Sequence, residues 1–146
     1  MCRHRDNGTD RQVSISLFNG ERLSIIIPTI AMDDLLQQSD FVSLHVPAQK
    51  EYVIDRPQLE KMKSGAALIN AARGGVINEV ALVEALDNEK LAFAALDTFE
   101  NEPKPEIKLL MHPKISLTPH IGAATLEAQD RIGEELADQI IGILKP

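Results

Sequence analysis

Three segments of the sequence carry residue types that bind or move charge. Arg73 stands between Ala72 and Gly74-Gly75. Small neighbours let a ligand approach the backbone. A guanidinium in that setting can fork onto a carboxylate through two parallel charge-assisted bonds; an arginine that merely pairs with a surface acid would read the same. His120 follows Pro119 and precedes Ile121-Gly122-Ala123. Imidazole titrates near neutral pH, so it can take and return a proton; the plain alternative is a histidine satisfied within a loop. Glu102 lies in Phe99-Glu100-Asn101-Glu102-Pro103. A carboxylate beside an imidazole fixes its tautomer and stabilises its cation. On these grounds Glu100 is an equal candidate, and loop solvation explains either. Asp97 closes an apolar run, an unfavourable place for a charge without a partner. His4 and His112 have no comparable setting and read as surface residues. No Cys/His cluster has metal-ligand spacing, so no metal is expected.

These residues need elements to position them, and the hydrophobic pattern supplies a set. Val13–Phe18 and Glu21–Ile27 alternate on either side of Asn19-Gly20, a hairpin signal because a type I′ turn needs positive φ at both central residues. The period then changes. Asp33–Gln38 reads as a short helix, Phe41–Val46 as a buried strand ended by Pro47, and 57–63 as a helix with Pro57 in its first turn. Ala66–Asn70 is a second buried strand. Asn78 can cap a helix over 79–88 whose Leu82, Val83 and Leu86 share a face. Leu91–Leu96 is a third strand, Pro103 and Pro105 break the chain into a loop, and Ile115–Thr118 is a fourth strand. A last helix over 125–144 carries Ala128, Ile132, Leu136, Ile140 and Leu144 as one stripe. Short buried strands alternating with helices give an α/β fold with a parallel sheet. Ligands in such sheets bind beyond the carboxyl ends of the strands. The segments at those ends are His45-Val46-Pro47, Ala71-Ala72-Arg73, Asp97-Thr98-Phe99 and Pro119-His120-Ile121-Gly122, so all the chemistry converges on one edge.

Composition narrows the classes. The chain has 146 residues, enough for one domain with a real core, and that core must be aliphatic, since there are four Phe, one Tyr and no Trp. The formal charge of −7 leaves no basic face for a nucleic acid. No apolar run approaches the length of a membrane span, so no membrane partner is expected. The single cysteine, Cys2, excludes an internal disulfide and fits a reducing cytoplasm. Residues 1–12 are polar and read as a disordered tail, 13–31 as the hairpin and its connection, and 32–146 as the α/β unit.

From Met32 to Leu144 the chain resembles the D-isomer-specific 2-hydroxyacid dehydrogenases. The stretches that carry the likeness are SDFVSLHVP (39–47), MKSGAALINAARGGVINEVALVEAL (62–86), LAFAALDTFENEP (91–103) and SLTPHIGAATLEAQDRIG (116–133). The resemblance implies a partial Rossmann-like, doubly wound parallel sheet, the C-terminal half of an NAD-binding domain. It puts the catalytic arginine on Arg73, the catalytic glutamate on Glu102 rather than Glu100, and the catalytic histidine on His120. Ala71, Ala72, Arg73, Asp97, His120, Gly122 and Ala123 would line the nicotinamide end of NAD, with His45, Val46 and Pro47 toward its adenosine side. It implies hydride transfer to or from C2 of a small 2-hydroxy acid and assembly as a homodimer. The nearest branch oxidises 3-phosphoglycerate, a step of serine biosynthesis. Glyoxylate, hydroxypyruvate and lactate enzymes share the same stretches.

The likeness stops at the phosphate grip. The family's G-x-G-x-x-G turn and the acidic residue about twenty positions on, which hold pyrophosphate and ribose, have no counterpart here. The expectation is therefore a piece of a longer enzyme, inactive alone, binding NAD weakly, with an open sheet edge that favours dimers or aggregation. A co-repressor or scaffold on the same fold, and a non-catalytic truncated product, are the alternatives.

Overall fold

A computed structural model describes residues 11–16 and 20–144. The expectations for 1–10, including His4, and for Asn19 at the hairpin tip lie outside the described residues.

Alternation makes the first two strands, β1 (Arg11–Ser16) and β2 (Arg22–Ile27), an antiparallel pair. β1 opens at Arg11, inside the stretch expected to be disordered, because Arg11 and Gln12 find partners in Ile27 and Ile26. The described pairing runs from Arg11–Ile27 to Ser16–Arg22, and Gly20 sits at φ 85° between the strands. Directly opposed residues share a face, which puts Val13, Ile15, Leu23, Ile25 and Ile27 on one side. All five are exposed.

The α/β unit follows as α1 (Met32–Gln38), β3 (Phe41–Leu44), α2 (Arg56–Lys61), β4 (Ala66–Asn70), α3 (Glu79–Asp87), β5 (Leu91–Leu96), α4 (Ile107–Leu110), β6 (Ile115–Leu117) and α5 (Leu126–Leu144). The strands β3-β4-β5-β6 pair in parallel and in sequential order, which is one wing of a doubly wound sheet. Consecutive helices α1 to α4 touch one another and form one layer. Between that layer and the sheet lie Val42, Leu44, Leu68, Ala94 and Leu96 from the strands and Leu82 and Leu86 from α3, all buried. The opposite face of the sheet carries Phe41, 74% exposed, and Phe93, 41% exposed, on either side of Ala67.

Local chemistry explains the boundaries. Asp55 caps α2 and forms a capping box with Gln58, whose Oε1 accepts from Asp55 N at 3.1 Å. Asn78 Oδ1 accepts from Ala81 N at 3.0 Å, as expected of the α3 cap, while Asn78 Nδ2 donates to Asp55 Oδ1 at 2.8 Å. One side chain therefore ties the starts of two helices together. β3 stops at Leu44 rather than Val46, since Pro47 cannot donate to a ladder and Ser43 Oγ instead meets His45 Nε2 at 2.8 Å.

Two expectations need correction. The segment after Pro105 is not all loop: one helical turn, α4, forms there and buries Leu109 to 1% exposure. That turn brings His112 onto the end of α3, so it is not a surface residue. Its side chain is 8% exposed, with Nε2 3.2 Å from Asp87 Oδ1 and Nδ1 accepting from Lys114 N at 3.2 Å. The stripe on α5 is real in period but buries nothing: Ile132, Leu136, Ile140 and Leu144 are exposed.

Among the described residues, Thr98 Oγ1 is buried without a hydrogen-bond partner. An orphaned hydroxyl costs stability that a valine of similar shape does not lose. Thr98→Val is expected to stabilise the chain by roughly 1 kcal/mol, seen as a higher melting temperature by circular dichroism; a fall would contradict the assignment.

Candidate active site

The carboxyl ends of the four parallel strands stand in one row. Leu44 is paired with Asn70, Asn70 with Leu96, and Leu96 with Leu117. The next residues along each strand are His45, Ala71, Asp97 and Thr118, so the sheet delivers the expected segments to a single edge. His45 is exposed there and Val46 packs against the core; Ala71 is exposed and Ala72 buried. Gly122 and Ala123 lie exposed just beyond His120, with open space where a Cβ on Gly122 would project.

His120 and Glu102 meet at this edge. His120 Nδ1 lies 3.0 Å from Glu102 Oε2 and 3.2 Å from Oε1. Glu102 Oε1 also accepts from Phe99 N at 2.9 Å. That backbone bond, with His120 second, holds the Glu102 carboxyl below its usual range. An ionised carboxylate can only accept, so Nδ1 carries the proton and Nε2 is left to exchange one. Beside the pair is a cleft of about 440 Å³ walled by Phe99, Pro103, Pro105, Leu110, Leu117 and Pro119. A larger cleft of about 810 Å³ lies over Tyr52, Gly75 and Glu100 and contains none of Arg73, Glu102 or His120.

His120 takes a left-handed backbone, φ 52°, which is uncommon for a residue with a side chain. Asp97 holds it there. Asp97 Oδ1 accepts from His120 N at 3.2 Å and from Thr118 Oγ1 at 2.5 Å. The charge at the end of an apolar strand therefore has its partners: it pins the turn that presents the imidazole.

Arg73 reaches the same edge but joins neither member of the pair. Its Nη1 donates to the Ala72 carbonyl at 2.6 Å, and among the described residues no hydrogen bond or ion pair links it to Glu102 or His120. The loop below it is stapled by Asn70, buried at the strand end. Asn70 Nδ2 donates to Arg73 O at 3.1 Å and Asn70 Oδ1 accepts from Ala72 N at 3.1 Å. Sequence reasoning missed Asn70, although a polar residue closing an apolar strand is the signal that singled out Asp97. The small residue after Arg73 also serves another purpose than ligand approach. A Cβ on Gly74 would fall onto the Phe99 carbonyl, so glycine there lets the β4 and β5 loops touch. Glu100, the rival to Glu102, faces away from His120 and bonds Glu79 and Tyr52.

A parallel α/β sheet that gathers polar side chains at its carboxyl edge has the architecture of nucleotide-binding domains. The comparisons make this particular. Residues 19–122 match the family described as D-isomer specific 2-hydroxyacid dehydrogenase, NAD binding domain, and the chain belongs to that family. It is 41% identical over 115 residues to D-3-phosphoglycerate dehydrogenase of Bacillus subtilis, covering 77% of this chain and 22% of the relative. It is 45% identical over 116 residues to hydroxypyruvate reductase of Thermotoga maritima, covering 76% of this chain and 38% of the relative. Among solved structures, a glyoxylate reductase from Paecilomyes thermophila superposes with a TM-score of 0.71 at 40% identity, over 80% of this chain and 36% of that one. The chain spans about a fifth of the length of the phosphoglycerate dehydrogenases it matches.

The family's cofactor is NAD, and the described edge fits one end of it. Asp97 spends only Oδ1 on the protein among the described residues, Ala71 is small and exposed, and the space before Gly122 is open. Toward the phosphates the sequence offers no G-x-G-x-x-G turn.

Two outcomes are expected. Gly74→Ala must separate the β4 and β5 loops and should cost on the order of 2–3 kcal/mol in urea denaturation; a neutral result would mean that the contact with Phe99 yields. Because the folded-state value of Glu102 is depressed, its stabilisation is present above the ordinary carboxylate range and is lost as pH falls through the folded value. Glu102→Gln should therefore flatten the acid limb of the stability–pH curve. Glu79, raised by burial, acts with the opposite sign: its contribution falls as pH rises from the ordinary carboxylate range through its raised folded value, so the comparison is made against wild type at each pH.

Proposed function

We propose that residues 32–146 act as the C-terminal half of an NAD-binding domain and supply the acid–base edge of an NAD-dependent D-2-hydroxyacid dehydrogenase. The observation that carries this is the bond from His120 Nδ1 to Glu102 at the carboxyl edge of the sheet. NAD, when bound, supplies the hydride acceptor. Arg73 would bind the substrate carboxylate, for which its guanidinium must turn from the Ala72 carbonyl. His120 would take the hydroxyl proton at Nε2 during oxidation and return it during reduction, while Glu102 keeps the ring oriented. Ala71, Ala72, Asp97, Gly122 and Ala123 would face the nicotinamide, with His45, Val46 and Pro47 toward the adenosine.

For the substrate we favour 3-phosphoglycerate, supported by the relatives named D-3-phosphoglycerate dehydrogenase at 40 to 45% identity. Hydroxypyruvate is the second reading, supported by the Thermotoga maritima relative. A homodimer is the assembly we propose, since Phe41, Phe93 and the α5 stripe leave apolar surface for a second copy.

The test is an NADH absorbance assay of the gene product carrying these residues, with 3-phosphoglycerate and NAD in one arm and hydroxypyruvate and NADH in the other. Turnover in the first arm and a loss of about 10²–10⁴-fold in kcat for His120→Gln are expected. Turnover unchanged by that substitution, or none in either arm, would sink the reading.

A further inference from the structure

Of the buried polar side chains, Glu79 has no task in the chemistry above. It opens α3, and its backbone N–H donates to Glu100 Oε1 at 3.1 Å. In return Glu79 Oε1 accepts from Glu100 N at 2.7 Å. The two glutamates thus exchange carboxylate-to-amide bonds in both directions and close the loop after β5 onto the start of α3. The α3 N-terminus favours the Glu100 carboxylate. Tyr52 adds a bond from a third segment, its hydroxyl donating to Glu100 Oε2 at 3.3 Å. On the other side of this loop, the Phe99 carbonyl rests on Gly74. Phe99 and Glu100 are therefore gripped from both sides. Glu102 is reached two residues later, and it folds back to accept from the Phe99 N–H.

We propose that the Glu79–Glu100 clasp is a positioning device for Glu102: it fixes the Phe99–Glu100 backbone so that the Phe99 N–H stays aimed at the Glu102 carboxylate, which in turn stays against His120 Nδ1. Glu79 and Glu100 are positioning residues. The inference rests on the reading of Glu102 and His120 as the acid–base pair, and it adds a mechanical link from the start of α3 to that pair. A purely structural clasp would hold the loop to the helix without affecting how the Glu102 carboxyl is bound.

Titration of Glu102 separates the two, because the signs differ. Its charge is faced by His120 and Asp97, with Glu79 beyond the loop. Removing a negative neighbour alone pulls a carboxyl further down. Losing the Phe99 bond lets it rise, since that bond is the chief cause of the depression. The side-chain carboxyl of Glu102 can be followed by carbon-13 NMR in the 146-residue chain. Glu79→Ala and, at an exposed position that should spare the fold, Glu100→Ala are expected to raise the Glu102 midpoint toward the ordinary range. Glu79→Gln keeps the acceptor for Glu100 N and should leave the midpoint low. His120→Gln is the control for the underlying reading and should also raise it. If His120→Gln leaves the midpoint unmoved, the pair itself is wrong. If His120→Gln raises it while Glu100→Ala leaves it unmoved or lower, the pair stands and the clasp proposal falls.

Discussion

The lateral register of four parallel strands is the constraint on which the site depends. Leu44, Asn70, Leu96 and Leu117 are paired across the sheet, so the chain leaves every strand at the same height. Parallel pairing needs helical crossovers, and the helices between these strands bury the aliphatic face that makes the register costly to slip. A one-residue slip in β5 would turn Leu96 out of the core and move Asp97 away from the turn that holds His120. Core packing and site geometry are thus one requirement.

Above that row the loops are organised by polar contacts. Asn70 staples the turn that carries Arg73. Asp97 reaches from β5 to the turn after β6 and holds His120 in a left-handed backbone. Glu102 reaches from the β5 loop to the His120 ring. The imidazole is therefore set by two carboxylates with separate duties, one on its backbone and one on its ring. Arg73 is less constrained: its loop is fixed, yet its guanidinium satisfies itself on a neighbouring carbonyl.

The apolar surfaces tell a different story from the site. The hairpin face, the α5 stripe and the sheet face around Phe41 and Phe93 are all exposed. Burial of such surface is worth roughly 25 cal/mol per Å², so the sequence pattern in these places specifies an element without supplying what it packs on. Periodicity records which side of a helix is apolar; it does not record the partner.

The sequence by itself determined the strands, the cap at Asn78, and the convergence of Arg73, Asp97 and His120 on one edge, because alternation, proline and turn chemistry are local. Choosing Glu102 over Glu100 needed the family likeness or the fold, since the two carboxylates stand in equivalent sequence settings and only the path of the loop turns one to His120 and the other to Glu79. Only the tertiary structure revealed that Gly74 makes room for Phe99 and that the His112 side chain packs against the end of α3. Each of those depends on a contact between segments far apart in the chain, and no window of sequence contains both sides of it.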